Sequence, residues 1–115
     1  MKLHPDALKR LVSRVFANVG CNTEEADCVA DHLVEANLAG HDSHGGIRVP
    51  IYIEWLKAGK VVANREIDTL IDTTTLTVAD GHLGFGQYLG KKLAEVGIRK
   101  GREQGMSIVA LRNVG

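Results

Sequence analysis

The sequence predicts an α+β fold in which three helices are followed by a β-hairpin, a fourth helix and a strand. Three observations carry that expectation. Leu8, Leu11, Val12, Val15, Phe16 and Val19 recur as one apolar stripe on a 3.6-residue period. From residue 66 the period changes to two, with EIDTLID and TLTVAD rich in β-branched residues. A helical pattern from about Gln87 to Gln104 then precedes the apolar run MSIVAL.

Each element has its own local reason. Pro5 and Asp6 suit the first turn of helix one, because proline lacks an amide that would be orphaned there, and Gly20 suits its exit. Thr23 is expected to cap the second helix, whose acids Glu24, Glu25 and Asp27 sit where the helix dipole favours negative charge. That helix is expected to bury Val29, Ala30, Leu33, Ala36 and Asn37 and to end near Gly40. A third helix, with Ile51, Ile53, Trp55 and Leu56, begins near Pro50, a residue tolerated only in a first turn, and closes at Gly59. A threonine-rich turn joins the two predicted strands. Along the fourth helix Gly90, Ala94, Gly97 and Gly101 form a small-residue stripe that lets its backbone come close to whatever it packs on. Residues 1–62 thus read as a helical segment and residues 63–115 as the start of an αβ domain.

With 115 residues the chain is long enough for one core but short for a complete enzyme with a cofactor site. Fourteen basic and fourteen acidic side chains cancel, so no global field draws it to nucleic acid or an anionic membrane, and a small neutral or anionic ligand fits better. Cys21 and Cys28 match neither a disulfide framework nor a metal-ligand spacing and read as reduced thiols. The N-terminus, MKLHPDALKRLVSRVF, has no continuous hydrophobic block of a signal peptide or membrane span, so cytoplasmic residence is expected.

The stretch HDSHGGIRVPIY, residues 41–52, concentrates reactive side chains in one connector. Gly40, Gly45 and Gly46 let the backbone approach a ligand closely. Arg48 offers a planar fork suited to a carboxylate, His44 offers an imidazole able to carry a proton, and Ser43 can orient that proton beside it. Together these are the parts needed to reduce a 2-oxo acid, with a nicotinamide as hydride source. The competing structural reading makes His44 and Ser43 helix-capping residues and Arg48 a solvated charge. His41 and His44, with Asp42, could grip a metal from a helical turn, but no further ligand is evident and the loop is glycine-broken, so no metal site is expected. Asp42, Ser43 and His44 in direct succession are not a hydrolase triad. A second glycine cluster, DGHLGFGQYLG, has the spacing G-x-G-x-x-x-G, one residue longer than the dinucleotide fingerprint, and reads as a tight turn before a packed helix with His82 exposed in it.

Ser43-His44-Gly45 followed by Arg48 and Tyr52, just after Ala36-Asn37-Leu38-Ala39-Gly40, closely resembles the N-terminal signature of the type 2 malate/L-lactate dehydrogenase family. The resemblance runs on through Asp80-Gly81, Gly84 and Gly86-Gln87 to Val109-Ala110-Leu111-Arg112-Asn113. It implies an oxidoreductase using NAD or NADP on a small carboxylate substrate, a homodimer when full length, and a non-Rossmann, largely antiparallel cofactor-binding domain beginning in residues 63–115. It makes His44 the proton donor or its close neighbour, with Ser43 beside it. Arg48 becomes the carboxylate anchor, and Tyr52 lines the pocket or merely packs. Family members continue past the Arg-Asn-x-Gly segment with a further histidine, a competing donor, and most of the nucleotide site. The 115 residues alone are therefore expected not to turn over. The alternative is a catalytically inactive fragment acting as a helical interaction module.

Overall fold

The computed structural model describes residues 3–115, and the chain divides after Asn64 into two compact units. In the first, α1 (Pro5–Asn18) packs on α2 (Thr23–Leu38), and two short 3-10 turns lead into α3 (Val49–Ala58). Pro5 occupies the first turn of α1 as its missing amide dictates. Only part of the α1 stripe is inside. Val12 and Phe16 are buried, Leu8 and Val15 half-buried, and Leu11 and Val19 at the stripe's margins exposed. On α2, Val29, Ala30, Leu33 and Val34 are buried, whereas Ala36 and Asn37 are only half-buried.

The cap of α2 corrects the sequence expectation. Thr23 is already helical, and the residue before it, Asn22, accepts the Glu25 amide at 2.9 Å. Asn64, in the left-handed region with φ 62°, completes the same knot: it accepts the Asn22 amide at 2.7 Å and donates to the Gly20 carbonyl at 2.7 Å. Its own amide donates to the buried Glu25 carboxylate at 2.8 Å. Burial, with Glu25 beside it, pushes the Cys21 thiol up to about 12. Helix α3 ends as predicted, at Gly59 in the left-handed conformation.

The second unit is a three-stranded sheet with α4 (Gly86–Gln104) packed on β2 and β3. Strands β1 (Asp68–Asp72) and β2 (Leu76–Gly84) form the predicted antiparallel hairpin, and β3 (Ile108–Val114) pairs with β2 in parallel, so the sheet is mixed. Ala79, Phe85, Tyr88, Leu89 and Leu93 make its core, each large aliphatic member contributing about 1.5–3 kcal/mol. Lys100 is buried with them. Its ammonium donates to the Asp72 carboxylate, to Thr77 Oγ1 at 2.7 Å and to the Thr73 carbonyl at 2.6 Å, fastening α4 to the hairpin turn. The same ammonium holds the Asp72 carboxyl below its ordinary range.

The segment read as a tight turn is instead strand. β2 runs on through Gly84, with a register shift against β3 between Asp80 and Gly84. His82 and Leu83, in the shifted interval, take φ values of 49° and 65°. Buried Asp80 holds this end of the sheet: it accepts the His82 amide at 2.8 Å, Arg112 Nε at 2.9 Å and Asn113 Nδ2 at 3.2 Å. Those donors, the His82 amide foremost, bring its carboxyl down to about 2. His82 is exposed, as expected, and lies 3.1 Å from Asp68 Oδ2. The small-residue stripe of α4 works only in part. A Cβ on Gly97 would lie 3.0 Å from Val109 Cγ1, but Gly90 has open space and Ala94 is exposed.

Candidate active site

The connector between α2 and α3 is built by backbone geometry before any side chain acts. Beyond the last turn of α2, the His41 amide donates back to the Ala36 carbonyl at 2.8 Å, with Gly40 left-handed between them at φ 84°. Asp42–His44 and Gly46–Arg48 then form two successive 3-10 turns, the first tied by His44 N–H to the His41 carbonyl at 2.9 Å. The second turn runs directly into α3.

One side chain braces both turns. Asn37, on the last turn of α2, accepts the Gly46 amide on Oδ1 at 2.8 Å and donates from Nδ2 to Asp42 Oδ1 at 3.0 Å. Its carboxamide fills the space beside Gly45, where a Cβ would stand 2.3 Å from Asn37 Cγ. Helical periodicity places Asn37 among buried positions of α2 and gives no sign of this role. The available signal was a polar amide on an otherwise apolar face, three residues before the helix-ending glycine.

Ser43, His44 and Arg48 are brought together on this frame. Ser43 Oγ lies 3.1 Å from His44 Nδ1, and Arg48 Nε donates to the Ser43 carbonyl at 2.8 Å. When the serine hydroxyl donates to Nδ1, the ring proton resides on Nε2, the nitrogen able to hand it on. The bond from Arg48 Nε fixes the plane of the guanidinium and leaves both terminal nitrogens for another acceptor. Among the described residues no carboxylate pairs with Arg48. Ser43 and His44 are exposed and Arg48 half-buried, so the group can meet a solute. His41 stands edge-on to His44, with ring centroids 6.4 Å apart.

Tyr52 is placed differently. Its ring stacks on Trp55 at 5.5 Å and lies 6.3 Å from Phe16, an aromatic cluster that seats α3. These two ring contacts are packing contacts between α3 and α1 and within α3.

The second glycine cluster does not form a dinucleotide cradle. A Cβ on Gly84 would meet Leu89 Cδ1 at 2.6 Å and Arg65 Cβ at 2.8 Å, so its glycine is required by packing. At the start of α4 the Gly86 amide donates to the Gly115 carbonyl at 3.3 Å, and an oxygen there repels phosphate. The described residues therefore do not fit a nicotinamide dinucleotide at this helix. Among them there is also no group of three His, Cys, Asp or Glu side chains placed to hold a metal ion, and no helix long and apolar enough to cross a membrane.

Comparison with known proteins bears on the same residues. The family described as malate/L-lactate dehydrogenase matches residues 3–115. The L-sulfolactate dehydrogenase of Methanocaldococcus jannaschii is 39% identical over 113 residues, 98% of this chain and 33% of that protein. Hydroxycarboxylate dehydrogenase B of Escherichia coli is 37% identical over 106 residues, 92% of this chain and 29% of its own length. Among solved structures, malate dehydrogenase from Pyrococcus horikoshii superposes with a TM-score of 0.96 at 31% identity, over 100% of this chain and 33% of that one. The chain thus spans about a third of the length of the relatives it matches.

Proposed function

Because the chain belongs to the malate/L-lactate dehydrogenase family, we propose that it supplies the substrate-side half of the active site of an oxidoreductase acting on small 2-hydroxy and 2-oxo acids. The observation that carries this reading is the linkage of Arg48, Ser43 and His44 through one residue: the guanidinium rests on the Ser43 carbonyl while the Ser43 hydroxyl faces the imidazole. A 2-oxo acid has its carboxylate and its carbonyl oxygen on adjacent carbons. Arg48 grips the first bidentately, and His44 delivers a proton to the second as the carbon is reduced. Ser43 keeps the ring in register for that delivery. Tyr52 supports α3 behind the site.

Hydride comes from NAD(P)H in this reading. The described residues offer it no seat at α4, and its binding is assigned to sequence of the kind that the relatives carry beyond the third of their length matched here. Homodimeric assembly and cytoplasmic residence belong to the same proposal. The test is to follow oxidation of NADH and of NADPH by the full-length protein with a panel of 2-oxo acids, oxaloacetate, pyruvate and sulfopyruvate among them. Turnover of at least one supports the assignment, and the absence of nucleotide oxidation with every member refutes it.

A further inference from the structure

Resting on the substrate role assigned to Arg48 above, we propose that Asn37 is a positioning residue whose carboxamide withholds the Asp42 carboxylate from the Arg48 guanidinium. The connector has a built-in conflict. Asp42 is adjacent to Ser43, the residue whose carbonyl the guanidinium already touches at 2.8 Å, so an acid of the loop itself lies one residue from the fork that must accept the acid of the substrate. An internal Asp–Arg pair would satisfy the fork and compete directly with any carboxylate ligand.

Asn37 resolves the conflict with both ends of its amide. Oδ1 accepts the Gly46 amide at 2.8 Å, which fixes which way the group faces, since a backbone N–H cannot be met by the NH2 end. Nδ2 is thereby aimed at Asp42 and holds its Oδ1 at 3.0 Å, on the α2 side of the loop. Gly45 makes room for the arrangement, because a side chain there would occupy the carboxamide's place. No apolar side chain at position 37 does either job, and an alanine does neither.

The experiment compares the full-length protein with its N37A, D42N and N37A/D42N variants, using a 2-oxo acid that the wild type reduces. N37A raises KM about tenfold with a smaller change in kcat, D42N alone stays near wild type, and the double variant returns KM to within about twofold of wild type. An unchanged KM in N37A overturns the inference, as does a raised KM that D42N fails to reverse, because Asn37 then only braces the loop. A second readout needs no turnover: oxamate is titrated while the Arg48 Nε–H resonance is followed by NMR, and N37A weakens the response while N37A/D42N restores it. A wild type that reduces no 2-oxo acid but shows this binding pattern removes the enzymatic reading and leaves the inference standing. An active wild type with an indifferent N37A removes the inference alone. Should N37A not fold, N37S, too short to span both partners, takes its place with the same expected outcomes.

Discussion

Replacing Gly45 by alanine perturbs the connector at the point where its packing is tightest. The new methyl would stand 2.3 Å from both Cγ and Oδ1 of Asn37 and 2.4 Å from its Nδ2, so the carboxamide must leave. Backbone strain is not the cause of the cost: Gly45 has φ −96° and ψ −146°, outside the left-handed region. Displacing Asn37 strands the part-buried Gly46 amide, at about 1–1.5 kcal/mol, and breaks the exposed bond to Asp42, which is worth about 0.5 kcal/mol. Moving the side chain to a new rotamer adds about 0.5–1 kcal/mol. Against this, alanine narrows the unfolded ensemble and returns about 0.5 kcal/mol. The net loss is about 2 kcal/mol. In an N37A background the bonds are already gone and the space is empty, so only the unfolded-state term remains and the same methyl stabilises by about 0.5 kcal/mol. A double-mutant cycle in urea, followed by the fluorescence of Trp55 on α3, should therefore give a coupling energy of about 2.5 kcal/mol. Equal costs in the two backgrounds would refute the claim that Asn37 and Gly45 share one volume.

Other outcomes test separate parts of the account. His44→Ala in the full-length protein should lower kcat by about 10²- to 10⁴-fold with a 2-oxo acid, measured by nucleotide oxidation, and a drop under tenfold would give the proton to another group. Asp80 has its carboxyl lowered from 3.8 to about 2 by the His82 amide and the Arg112 and Asn113 side chains. A depressed value means that its stabilisation is complete above pH 3.8 and fades as pH falls toward 2. Thermal melts of wild type and D80N should accordingly differ most near neutrality and converge in acid. A constant difference across that range would count against the hydrogen bonds described. Cys21, buried and raised to about 12, should resist iodoacetamide at pH 8 in the folded protein and react once urea is added, as read by mass spectrometry.

Helix positions were legible because period and punctuation agree locally: the α1 stripe, Pro5, Pro50 and Gly59 all act within a turn of themselves. Features that depend on distant partners were not. Nothing in DGHLG announces a strand, since two of its residues take positive φ and the pairing that supports them comes from β3, about thirty residues later. Asn22 and Thr23 are both good caps, and the choice between them is made by Asn64, forty-two residues away. Lys100 recurs on the face of Leu89 and Leu93, a sign of burial that only the waiting carbonyls and Asp72 of the hairpin turn explain. In the candidate site, residue types and spacing marked Ser43, His44 and Arg48, whereas the amide that braces them sits on the preceding helix, outside the motif.

The most direct test of the central claim, that Arg48 anchors the carboxylate of a 2-oxo acid, compares such an acid with its neutral amide on wild type and on Arg48→Lys in the full-length protein. Lysine keeps the charge and removes the fork, so kcat/KM for the acid should fall about 10- to 100-fold while the amide is little changed. Equal losses for acid and amide, or no loss for either, would contradict it.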